Sequence, residues 1–86
     1  MTLDIKTNPG NGGLYCFFEY EGKEYCADLC VLPLHPDDDT ECMVFKSIGG
    51  KVSDWSGLYC KRDIPVTASA LTECVKEFIE SLESKK

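Results

Sequence analysis

Two runs rich in aromatic and small apolar residues, LYCFFEY at 14–20 and EYCADLCVL at 24–32, flank a glycine turn and constrain this chain more than anything else in it. Side chains on a strand alternate between faces, so pairing the runs about a two-residue Glu21-Gly22 loop sorts them into two sets. Cys16, Phe18 and Tyr20 then share a face with Tyr25, Ala27 and Leu29, while Phe17 and Glu19 lie opposite with Glu24, Cys26, Asp28 and Cys30. The first set is apolar and is the predicted core face.

The remaining segments fit around that hairpin. Met1 to Lys6 reads as a short first strand or a flexible lead, followed by the dense turn Asn8-Pro9-Gly10-Asn11-Gly12-Gly13, so that the ordered core is expected from Leu14. Pro33, Pro36 and the run Asp37-Asp38-Asp39 impose an irregular, solvated connection. Strand character resumes in ECMVFKSIGGKVSDWSGLYCKR, where Met43 and Phe45 alternate with Cys42 and Val44 and Gly49-Gly50 offers a second hairpin turn. Pro65 closes the sheet. Thr67 or Ser69 can cap a final helix in which Leu71, Cys74, Val75, Phe78, Ile79 and Leu82 form one apolar stripe, with Glu73, Glu77, Glu80 and Glu83 outside it. The expected fold is α+β: one domain over residues 1–86, a small antiparallel β-meander of three to five strands with a C-terminal amphipathic helix packed on the sheet.

Charge and composition narrow the function classes. Hydrophobic residues make up 43% of the chain, which is enough for a packed core and argues against disorder. A net charge of -6 opposes direct binding of nucleic acid, whose phosphates need clustered Lys and Arg. A basic protein surface is the expected partner; the plainer reading of the surplus carboxylates is solubility. No apolar stretch approaches the ~20 residues of a membrane helix, and no small-molecule substrate is expected. The first fifteen residues hold no basic leader followed by an apolar run, so the six cysteines are expected to be reduced thiols in a cytoplasmic setting.

Those thiols give the sharpest chemical hypothesis, zinc. With Cys74 set aside as core, Cys16, Cys26, Cys30, Cys42, Cys60 and His35 are the candidate ligands, and Cys26-x3-Cys30 is the one pair with ligand-like spacing. On a straight strand that pair would stand ~13 Å apart, so sharing a metal requires a bend or helical turn near Cys30. Buried or surface thiols without metal are the competing reading. A thiol enzyme needs a low-pKa Cys oriented by a base, yet the only histidine, His35, sits between Leu34 and Pro36 with no catalytic signature around it. Asp37, Asp38, Asp39 and Glu41 lack the alternating ligands and central glycine of a calcium loop, and read either as solvated charge or as a surface that meets Lys and Arg of a partner. Trp55 reads as a half-buried cover for the sheet edge or as an interface anchor.

The stretch TECMVFKSIGGKVSDWSGLYCKRDIPVTASALTECVKEFIESL, Thr40 to Leu82, resembles small proteins of bacteriophages and their hosts in the order of its MVF strand, GKVSDW turn, LYCKR segment and final helix. The resemblance implies a phage or mobile-element setting and supplies no catalytic residues. Small acidic proteins in that setting include anti-CRISPR proteins that occupy the basic nucleic-acid channels of Cas effectors, an analogy of size, charge and context. The expected function is therefore a non-enzymatic acidic binding protein, an inhibitor of a bacterial defence nuclease (a CRISPR Cas effector, Cas9 for instance) that blocks nucleic-acid loading. The alternative is a small zinc-stabilised structural or regulatory module with an unrelated protein partner.

Overall fold

The computed structural model describes residues 3–10, 12–31 and 40–85. They form five strands and one helix: β1 (Lys6–Thr7), β2 (Leu14–Tyr20), β3 (Lys23–Val31), β4 (Thr40–Ile48), β5 (Lys51–Arg62) and α1 (Ala68–Glu83). The strands make a single antiparallel sheet in chain order, β1-β2-β3-β4-β5. This is the α+β meander with a C-terminal helix that the alternation and the helical stripe predict.

The register of the first hairpin follows from its turn. Tyr20 pairs with Lys23, Phe18 with Tyr25, Cys16 with Ala27 and Leu14 with Leu29. Glu21 and Gly22 both take positive φ, 52° and 77°, the geometry that matches the right-handed twist of the flanking strands. Gly49 and Gly50, at 61° and 80°, repeat it between β4 and β5. At the N-terminal end, Asn8 organises the predicted turn: its N–H donates to the Gly13 carbonyl at 2.8 Å and its Oδ1 accepts from the Gly10 N–H at 2.9 Å. The core begins before Leu14, because Leu3 and Ile5 pack against it.

α1 starts at the Thr67 cap, whose Oγ1 accepts the Ala70 N–H at 3.1 Å. Leu71, Cys74, Val75, Phe78 and Ile79 are buried, and Leu82 is half-buried against the same cluster. They meet Cys16, Phe18, Tyr25, Ala27, Leu29, Cys42 and Val44 from the sheet. The Phe78 ring is the hub, with centroids 5.1 Å from Tyr25, 6.1 Å from Phe18 and 6.2 Å from Tyr59. Two of the four helix acids turn back to the sheet instead of facing away. Lys61 Nζ stands 2.7 Å from Glu77 Oε2, and the Tyr20 hydroxyl donates to Glu83 Oε1 at 3.0 Å.

β5 departs from simple pairing. Val44 pairs with Tyr59 but Lys46 with Asp54, so a two-residue step on β4 faces a five-residue step on β5, and the slack is taken up between Trp55 and Leu58. No helix among the described residues is long and apolar enough to cross a membrane.

Candidate binding face

α1 covers one side of the sheet, and the opposite side carries the candidate site. The strand register lays its side chains in rows. Phe17, Cys26 and Phe45 are mutual neighbours across β2, β3 and β4; the next row is Tyr15, Asp28, Met43 and Cys60; the next is Cys30, Glu41 and Arg62. Among the described residues no other element lies over these rows. Cys26 and Phe45 are nonetheless buried, at 4% and 7% exposure, since the larger side chains around them close over them. Trp55, from the slack in β5, sets its ring edge-on to Phe45 at 5.2 Å, and Tyr15 does the same to Phe17 at 6.1 Å.

Trp55 is itself 71% exposed and Phe17 36%. The half-buried edge cover expected of Trp55 is thus corrected: it shields Phe45 with one edge and leaves most of its surface to solvent. Gly57 lies directly beneath Met43, where a Cβ would come within 2.3 Å of the Met43 terminal methyl. The missing side chain leaves room for the end of Met43.

In the middle of this apolar surface stands a carboxylate. Asp28 is half-buried between Tyr15 and Met43, and its Oδ1 is fully covered with no hydrogen-bond partner among the described residues. Burial pushes its pKa above the usual carboxylate value. Glu41 is more comfortable: its Oε1 accepts the Cys60 thiol at 3.1 Å, and its carbonyl accepts the Cys30 thiol at 3.6 Å.

The candidate metal ligands do not converge. Cys16 and Cys42 belong to the core under α1, together with Cys74, whereas Cys26, Cys30 and Cys60 lie on the far side of the sheet. β3 runs unbroken through both Cys26 and Cys30, so the bend that would bring them onto one ion is missing and they stand ~13 Å apart. Among the described residues no three Cys, His, Asp or Glu side chains are placed to hold a metal. His35, Asp37, Asp38 and Asp39 lie outside the described residues.

Nor are the thiols poised as nucleophiles: Cys74 alone is lowered, by accepting the Cys42 thiol, and it is fully buried in the core. Burial drives the Cys16 pKa up to about 11 and the Cys26 pKa up to about 12, the latter helped by the nearby Asp28 charge. Cys42 is pushed up by its hydrogen bond to Cys74 and by burial. Exposed Cys60 is also raised, by desolvation and by its bond to Glu41. An attacking thiol needs the opposite shift.

Of the site residues expected from sequence, the structure therefore brings Cys26, Cys30, Glu41, Trp55 and Cys60 onto one face, and adds Phe17, Tyr15, Met43 and Asp28, to which the sequence reading gave no site role. Comparison with protein-family models, curated proteins and solved structures gives no match to this chain.

Proposed function

We propose that this is a non-enzymatic binding protein whose sheet face opposite α1 receives a basic segment of a partner protein. The observation that carries the reading is Asp28, a carboxylate with one oxygen buried and unpaired in the centre of an aromatic and methionine-lined surface. A half-buried carboxylate is costly to charge, and a guanidinium or ammonium docked on its exposed part would offset the desolvation of that charge. The exposed rings of Phe17 and Trp55 on the same face suit a cationic partner as well. Glu19, Glu24 and Glu41 share the face and favour the approach of positive charge. Exposed Trp beside a buried aromatic is the composition of an interface anchor.

The resemblance of Thr40–Leu82 to phage and host proteins directs the search for that partner to the basic nucleic-acid channels of bacterial defence nucleases, Cas effectors among them. An acidic protein seated in such a channel would hinder guide or target loading by occupying it.

Trp55 is the only tryptophan, so its fluorescence reports directly on the face. Titration with an Arg-Gly repeat peptide is expected to change Trp55 emission with an affinity that falls with salt, and Asp28→Asn to weaken it about tenfold or more. A Gln-Gly peptide should give no change. Equal response to both peptides, or undiminished affinity in folded Asp28→Asn, overturns the proposal. A DNA-cleavage assay with Cas9, with and without the protein, tests the particular partner: inhibition lost in Asp28→Asn and Trp55→Ala supports it, and unaltered cleavage removes that nuclease.

A further inference from the structure

A cleft of about 530 Å³ opens on the helix side of the sheet, where the Glu21-Gly22 turn, the end of β4 and the last turns of α1 come together. Its size is that of a small-molecule site. The apolar part of its wall is made by Tyr25, Leu58, Phe78 and Leu82; Tyr25 and Phe78 are buried core rings, while Leu58 is 41% exposed. Three lysines stand round it, Lys23 from β3, Lys46 from β4 and Lys85 from beyond α1.

The charge is the anomaly. The chain carries 15 acidic and 9 basic residues, yet three of those basic residues line this one cleft; the one acid at its rim, Glu24, belongs by strand register to the far face with Glu19. Glu24 already accepts the Gly49 N–H at 3.2 Å. None of the three lysines forms a close ion pair within the described residues, although Lys46 faces Asp54 across β4 and β5 and its charge helps hold the Asp54 pKa down. The carbonyls at the end of α1, which would otherwise repel an anion, are largely engaged: Phe78 O accepts from the Ser81 hydroxyl at 2.7 Å, Ser81 O from the Ser84 hydroxyl at 3.0 Å and Glu80 O from the Ser84 N–H at 3.0 Å. The cleft is therefore locally positive on an acidic molecule, over an apolar floor.

We infer that this cleft binds a medium-chain organic carboxylate, its chain against Leu58, Leu82 and the Phe78 ring and its head among Lys23, Lys46 and Lys85. Lysines act as separate point charges and suit a carboxylate, whereas a bare phosphate would leave the apolar wall unused. A neutral lipid would leave the Lys23 and Lys85 charges unmatched, and a basic peptide would be repelled. The site is on the opposite side of the sheet from Trp55, so its test does not depend on the binding face described above.

The experiment is a titration of the full chain with decanoate below its micelle concentration, at low salt, followed through the methyl resonances of Leu58 and Leu82. Decanol supplies the chain without the charge, and inorganic phosphate supplies charge without the chain. Saturable shifts at both leucines with decanoate are expected, with decanol and phosphate each at least about tenfold weaker. Lys46→Gln should weaken decanoate about threefold, and Leu58→Gln, at an exposed position, should weaken it with the melting temperature kept. Decanol binding as well as decanoate, phosphate binding as well as decanoate, shifts centred on Trp55, or no saturation in the millimolar range would each overturn the assignment.

Discussion

Burial of Asp28 sets a stability that runs against pH in a particular direction. Its folded pKa lies above the unfolded value, so the folded state carries no penalty while the carboxyl is protonated, below about 3.9, and loses stability as pH rises through the folded pKa. Asp28→Asn should therefore melt higher than the parent at neutral pH, with the gap closing in acid. Thermal melts across pH check this, and a lower neutral melting temperature in the variant would count against it. The same substitution is expected to cost binding, a conflict between stability and function that marks a site. Thr40 acts in the other direction. Its hydroxyl donates to the Ile64 carbonyl and accepts the Ile64 N–H at 3.0 Å, while its own carbonyl takes the Asp63 N–H at 3.0 Å. Thr40→Val keeps the shape and strands both Ile64 groups, so it should lower stability in urea by about 1–3 kcal/mol; Thr40→Ser should recover most of it.

Among the elements, α1 and the β2–β3 hairpin share one core, and large side chains removed from either should cost alike. Phe78→Ala and Phe18→Ala are each expected to destabilise by about 3–5 kcal/mol, while Glu80→Ala, on the exposed side, should stay within about 0.5 kcal/mol. A Phe78→Ala protein as stable as the parent in denaturant would contradict the packing. These elements are legible in the sequence because each repeats with its own period: two in Cys16, Phe18 and in Tyr25, Ala27, Leu29, and 3.6 in the stripe from Leu71 to Leu82. Thr67 and the two turns announce themselves by residue type. The slack in β5 does not. The run from Lys51 to Arg62 has strand character throughout, and nothing in its residue types marks Trp55 to Leu58 as the stretch that loses its partners on β4. Asp28 reads as a solvated residue of the outward face, since its covering neighbours, Tyr15 and Met43, sit 13 and 15 positions away along the chain but side by side across the sheet. The candidate thiol donors are legible as residue types and not as places, because the sheet puts Cys16 and Cys42 on one face and Cys26, Cys30 and Cys60 on the other.

At the scale of the molecule, a single sheet is covered by a helix on one side and by no other described element on the other. Its two faces also differ in charge, with an acidic aromatic surface behind and a lysine-lined cleft in front. The strand order has a further consequence, which belongs to time and not to space. Because every strand pairs only with its neighbour in the chain, each step of sheet formation closes a short loop, and α1 alone must return over the whole of what has formed. The hairpins are thus expected to assemble before the rate-limiting barrier and the helix to dock after it. In stopped-flow chevrons, Phe78→Ala should act mainly by accelerating unfolding, with φ about 0–0.3, whereas Ala27→Gly in the central strand should slow folding, with φ about 0.5–0.8. The reverse pattern would mean that the helix, not the sheet, is the template on which this chain folds.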